Sequence, residues 1–212
     1  MILLPLFPLP NVVLFPGVML PLHIFEPRYR ALLADALDGD RQLGMVLLRP
    51  GWEADYEGRP PIFEIGCGAV IVHAARLDDG RSDIVLRGLE RFRIASEDHA
   101  RPYRRATVAP LPDPPLVDTE TDVLAGLRAR LEHLLGVLPE SRETALSTHA
   151  SLAAMPDTDF VHTLAQYLDL DPIEKQALLE REGLCARAEA LVQLLDMRRV
   201  LAGMPAPPTL PH

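Results

Sequence analysis

The sequence predicts an α+β protein in which a β-barrel holding one inserted helix is followed by a C-terminal helical bundle. Three observations carry this. Short apolar or alternating runs separated by turn residues fill the first half. Apolar residues recur at helical spacing through the second half. A proline-rich joint, Leu111-Pro112-Asp113-Pro114-Pro115, separates the two. The expected organisation is a barrel subdomain over 1–112, a bundle subdomain over 116–203 and a disordered tail over 204–212.

The strand signals are Leu43-Gly44-Met45-Val46-Leu47-Leu48, Ala69-Val70-Ile71-Val72, Asp83-Ile84-Val85-Leu86 and Arg104-Arg105-Ala106-Thr107-Val108. Leu77-Asp78-Asp79-Gly80-Arg81 reads as a hairpin turn, with Gly80 free to take a positive φ. Strands this short and close together suggest a closed or half-closed barrel. The inserted helix starts at Pro27, buries a stripe of Tyr29, Leu32, Leu33, Ala36 and Leu37, and ends at Gly39.

In the second half, Val123, Leu124, Leu127, Leu131, Leu134, Leu135 and Leu138 form one helical stripe, and Phe160, Leu164, Tyr167 and Leu168 a second. Asp171-Pro172-Ile173-Glu174 combines an Asp cap, Pro at the first position and Glu three residues after the cap. Gly183 ends that helix, and Leu184 to about Ala202 forms the last one. Its Leu191, Leu194, Leu195 and Met197 read as bundle core.

The chain has 212 residues, 48% of them hydrophobic, and a net charge of -9. The charge is uneven. Residues 1–112 carry 13 Arg against 14 acidic residues, and 113–212 carry 7 Arg and 1 Lys against 16. The second half should therefore repel nucleic acid and anionic membranes. Residues 1–22 lack charge, but five prolines and the absence of a basic leader or cleavage signature argue against a signal peptide or membrane helix. Cys67 and Cys185 have neither disulfide-scaffold nor zinc spacing. The expected location is the cytoplasm.

Chemistry is mostly absent. There is no phosphate loop, no G-x-S-x-G and no H-E-x-x-H motif, and the single lysine, Lys175, follows Glu174 in a helix start. Cys67 and His73 share a strand and, by parity, a face, but six residues separate them by roughly 20 Å, too far for proton transfer. His133, His149 and His162 lack metal-ligand spacing. No enzyme, cofactor or metal site is expected. Seven arginines between 81 and 105 face four acidic residues. They form either solvated ion pairs or an anion or RNA surface.

A series of motifs, in order, resembles one family. Leu4-Pro5-Leu6-Phe7-Pro8-Leu9, Val13-Leu14-Phe15-Pro16-Gly17 and Pro21-Leu22-His23-Ile24-Phe25-Glu26-Pro27-Arg28-Tyr29 look like the opening of the Lon protease N-terminal domain. Ile65-Gly66-Cys67-Gly68-Ala69-Val70 and Leu86-Arg87-Gly88-Leu89-Glu90-Arg91-Phe92-Arg93-Ile94 resemble its later strands. Ser151-Leu152 through Asp171–Glu180 resembles the helices that follow. The resemblance covers about residues 1–200. It implies a PUA-like β-barrel, a stand-alone substrate-binding domain without ATPase or peptidase, and a partner that is an unfolded or exposed polypeptide segment, with a proteolytic machine as a further partner. Glu26 and Arg28 would fix the inserted helix against the barrel. The alternative is an RNA-binding PUA-like protein that uses the 81–105 arginines.

The polypeptide-binding candidates are Trp52 and Tyr56, in the long 50–61 connection, with Phe15 from the charge-free segment. The opposing reading folds Trp52 back to cap the barrel. The client and the oligomeric state stay open.

Overall fold

A computed structural model describes residues 1–56, 58–136, 152 and 154–202. The tail over 204–212, Leu138, His149 and Ser151 lie outside the described residues. Six strands are formed: β1 Ile2–Leu9, β2 Met19–Ile24, β3 Gln42–Leu47, β4 Ile65–Arg76, β5 Ser82–Asp98 and β6 Arg104–Pro110. Helix α1, Pro27–Asp38, is inserted between β2 and β3. After β6 come α2 Asp118–Leu135, α3 Asp157–Tyr167, α4 Pro172–Glu180 and α5 Leu184–Ala202.

The strands run in the order β2-β5-β4-β3-β1-β6, and β6 also pairs with β5. That extra pairing closes β1, β3, β4, β5 and β6 into a ring. Only β1 and β3 pair in parallel. Closure is possible because β5 is 17 residues long and shares one edge between two partners. Its first part, Ser82 to Arg87, pairs with β2, and its second, Phe92 to Asp98, with β6. Gly88 marks the changeover. A Cβ there would collide with the Phe15 carbonyl oxygen, so glycine lets the 15–18 segment cross against the strand.

Inside the ring lies a small apolar cluster of Leu4, Leu6, Val46, Phe92, Ala106 and Val108. Its tightness is set by glycine: a Cβ at Gly44 would stand 2.8 Å from the Phe92 ring, and one at Gly66 2.7 Å. Alternation along β1 sends Leu4 and Leu6 into this cluster, while Phe7 joins a larger core outside the ring. That larger core is continuous from α1 and the outer barrel wall into the helices, so the two halves share buried surface.

Local signals match at α1, where Pro27 opens the helix and Gly39 caps it. They match at the hairpin, where Gly80 has φ +80°. They match at α4, where Glu174 accepts from the Asp171 amide at 2.8 Å. Several details differ. Val123, at the margin of its helical stripe, is exposed, and so are Tyr167 and Met197, the latter on the far side of its helix from the buried Leu184, Ala188, Leu191 and Leu195. Cys67 and His73 do not share a face. An extra residue in β4 between Ile71 and His73 resets the parity, leaving Cys67 buried and His73 exposed. No described helix is long and apolar enough to cross a membrane.

The joint is tied down rather than loose. Asp113 accepts two hydrogen bonds from Arg187, both at 3.0 Å, and one from Arg91 at 2.6 Å. Arg91 also donates to the carbonyls of Leu179 and Arg181. Arg187, fully buried, donates to His162 Nε2 at 2.6 Å, and His162 Nδ1 donates to the Pro16 carbonyl at 3.0 Å. One polar seam therefore joins β5, the joint, three helices and the loop before β2.

Candidate functional site

The candidate site is built where β2 hands over to α1. Strand parity sends Ile24 into the core and leaves the next residue outside. Phe25 is 59% exposed, its ring stacked against His23 at 6.2 Å. Glu26 occupies the helix cap position but makes no side-chain cap bond. Its carboxylate instead accepts from the Tyr56 hydroxyl at 2.6 Å and from Arg28 Nε at 3.0 Å. Arg28 donates in turn to the Tyr56 carbonyl at 3.0 Å and stands 4.8 Å from the centres of both the Tyr29 and Tyr56 rings. The Glu26–Arg28 pair thus pins the 50–61 connection to the helix entrance. Tyr29, hydrogen-bonded to the Pro8 carbonyl at 2.9 Å, links the helix to the barrel.

The connection folds back on itself. A bridge between Leu48 and Ile62 and the hydrogen bond from the Arg49 amide to the Pro61 carbonyl close its base. Trp52 to Asp55 form one 3-10 turn, entered through Gly51 at φ 89°. Trp52 is half-buried and meets the Tyr56 ring edge-on, with centres 5.4 Å apart. It supports Tyr56 from behind. Phe25, Pro27, Arg28, Tyr56 and Pro102 line an open groove. On the far side of Arg28 and Tyr56, Tyr29, Tyr103 and Arg104 line a narrower cleft.

The electrostatics favour binding over chemistry. Burial and the bond to Glu26 raise the Tyr56 hydroxyl above its usual range. Burial and the bond to Asp35 push Tyr103 up to about 12. Both phenols are therefore neutral donors at physiological pH. Burial pushes the Cys67 thiol up to about 12, so it is unreactive. Among the described residues, no group of His, Cys, Asp and Glu could hold a metal ion.

Of the three sequence candidates, the structure brings Trp52 and Tyr56 together and separates Phe15 from them. Phe15 has no exposed surface; its amide donates to Gln166 Oε1 at 3.2 Å and its ring lies 6.0 Å from His162. The stretch around it lacks charge because it is buried between barrel and bundle, with Val13, Leu14 and Val18. Phe25 was the aromatic that the sequence reading left out. The parity of β2 was the signal that could have found it, since a buried Ile24 puts its neighbour outside.

The arginines of 81–105 do not make one surface. Arg81 pairs with Asp79, Arg93 with Glu64, Arg101 with Asp35, Arg104 with Glu97 and Arg105 with Asp98, while Arg91 is buried in the seam. Arg87 alone of the seven is exposed without an ion pair among the described residues. Dispersed pairs of this kind weigh against an RNA face.

Residues 3–197 match the family described as the ATP-dependent protease La (LON) substrate-binding domain. The Lon protease of Cytophaga hutchinsonii is 29% identical over 194 residues, 91% of this chain but 24% of that protein. The chain thus spans about a quarter of the length of the curated relatives it matches. Among solved structures, the N-terminal domain of Mycobacterium avium complex Lon protease superposes with a TM-score of 0.71 at 19% identity, covering 92% of this chain and 98% of that one. A Lon N-terminal domain protein from Xanthomonas campestris gives 0.57 at 24% identity, covering 97% and 100%. At these identities the structural likeness establishes the fold.

Proposed function

We infer, from the groove and from the fact that the chain belongs to the LON substrate-binding domain family, that it is a non-catalytic module that holds unfolded or exposed polypeptide segments. The observation that carries this is Phe25, a large aromatic left 59% exposed beside Tyr56 and two prolines at a groove whose charges are already paired. Such a surface offers apolar and aromatic contact area without selecting a charge. That suits extended segments of many sequences. The non-catalytic reading is supported by the commitment of the only lysine: Lys175 donates to the Gln166 carbonyl, and burial lowers its pKa. Delivery of bound segments to a proteolytic machine and a cytoplasmic location belong to the same proposal. The dispersed arginines make RNA the weaker reading.

The test uses the full chain and a reduced, alkylated protein that cannot fold. Phe25→Ser and Trp52→Ala should each weaken binding about fivefold or more, the scale of an interface anchor worth about 1 kcal/mol. The melting temperature should stay nearly constant for Phe25→Ser. Unchanged binding in both variants would remove the groove from the site, and a binding loss that only follows unfolding would assign these rings to stability.

A further inference from the structure

A second channel lies on the other side of α1, between the helix and the β4–β5 hairpin. Its floor is apolar: Leu33, 5% exposed, with the half-buried Leu37 and Ala74. Its rims carry two guanidiniums, Arg30 from α1 and Arg76 from the end of β4. Both are exposed, and neither side chain makes a hydrogen bond or an ion pair among the described residues. In a chain of net charge -9, where arginines beside the groove and in the seam are matched to carboxylates, these two leave their positive charge available at one channel.

None of the three acids of the hairpin, Asp78, Asp79 and Asp83, forms an ion pair with either arginine among the described residues. Asp79 is turned onto Arg81, accepting from its amide at 3.0 Å and from its Nε at 2.6 Å. Asp83 is held by His23 at 2.6 Å. Gly80, at φ +80°, makes the turn, and the Arg30 guanidinium lies against it at the channel mouth.

We propose that this channel binds the free C-terminal end of a polypeptide whose last side chain is aliphatic. The carboxylate sits between Arg30 and Arg76, and the side chain rests on Leu33, Leu37 and Ala74. An α-carboxylate places its charge one carbon from an apolar side chain, which matches guanidiniums directly above an apolar floor. An internal Asp or Glu would bring peptide groups on both sides, and this floor has no partners for them. The ligand class rests on the polypeptide-binding reading above, but the residues are different ones.

The experiment measures fluorescence anisotropy of a dye-labelled hexapeptide ending in Leu-Leu, as the free acid and as the carboxamide, with the full chain. The acid should bind about tenfold more tightly than the amide, as expected for two charge-assisted contacts that remain partly solvated. Arg30→Ala and Arg76→Ala should each remove most of that preference without lowering the melting temperature, since both side chains are exposed. Equal binding of acid and amide overturns the proposal. So does a preference that survives the double substitution, or an amidated peptide with an internal Asp that binds as tightly as the acid. Phe25→Ser should leave the acid-to-amide ratio unchanged. Unfolded-protein binding that Phe25→Ser leaves unchanged, with the acid still preferred over the amide, therefore counts against the groove alone, and a binding loss in Phe25→Ser with no acid preference in the wild type counts against this channel alone.

Discussion

Two arginine–carboxylate networks in this molecule differ in how deeply their guanidiniums are buried. In the seam, the side chains of Arg187, Arg91 and Asp113 are 0%, 5% and 26% exposed. At the groove, Arg28 and Glu26 are 20% and 18% exposed, and Phe25 beside them is open to solvent. The buried guanidiniums are also bonded to the carbonyls of Leu178, Leu179 and Arg181, leaving Arg91 Nε as their orphan donor. The half-buried Arg28 relies on one carboxylate, one carbonyl and two ring faces. Burial makes the seam all-or-none, because removing one partner strands the others in a low dielectric. Partial exposure makes the groove adjustable, because water can replace a lost partner.

The largest expected effect comes from breaking the seam. Asp113→Ala leaves two buried guanidiniums without their anion and should cost about 3–5 kcal/mol. Asp113→Asn keeps an acceptor and should cost less. Urea unfolding followed by circular dichroism measures both. A loss below about 1 kcal/mol for the alanine variant would falsify the view that the seam locks barrel to bundle.

Acid should strain the same seam. Burial, then the neighbouring Arg187, holds His162 down at about 4 against an ordinary 6.5, so the folded protein keeps it neutral and the unfolded chain does not. Its contribution is complete above pH 6.5 and is lost as pH falls through 4, a change of about 3 kcal/mol for a shift of this size. Asp113 acts in the same direction at lower pH. Burial works to raise its pKa, but the bonds from Arg187 and the charges of Arg187 and Arg91 hold it below the usual carboxylate range. Stability measured from pH 7 to 4 should fall more steeply in the wild type than in His162→Gln, which cannot titrate. Parallel curves would show that His162 titrates alike in the folded and unfolded chain.

Much of this architecture was legible because its causes are local. Pro27 and Gly39 bound α1, Asp171 and Glu174 open α4, and Gly80 turns the hairpin, each through backbone preferences that a few residues decide. The barrel's closure was legible only as a class. That β5 would divide one edge between β2 and β6 depends on pairings up to 68 residues apart in sequence, such as Met19 with Arg87. It also depends on Gly88 admitting the Phe15 carbonyl. Asp113 sat inside a proline-rich joint and read as linker, since nothing nearby in sequence announces two arginines, one 22 residues before it and one 74 residues after. At the site, the long 50–61 connection pointed to Trp52 and Tyr56, whose rings the structure places 5.4 Å apart. The lack of charge around Phe15 misled, because burial and binding surfaces share an apolar composition.

The smallest effect should come from the groove, and it sharpens the comparison most. Tyr56→Phe deletes the hydroxyl that donates to Glu26 at 2.6 Å but keeps the ring that faces Arg28 and Trp52. Glu26 retains Arg28 as a partner, and at 18% exposure water can reach the vacated position. The net loss should be about 1 kcal/mol or less, the value of a single hydrogen bond whose acceptor is not stranded. Binding of unfolded protein should be nearly unchanged, because the aromatic face supplies the contact area. Thermal unfolding and the binding assay on the same sample measure the two quantities together. A stability loss as large as that of Asp113→Ala would mean that the helix entrance is a second seam, fixed in the fold and unable to adapt to a client. A small loss accompanied by lost binding would move the recognition chemistry from the ring to the hydroxyl, and the groove would then select hydrogen-bond acceptors rather than apolar surface.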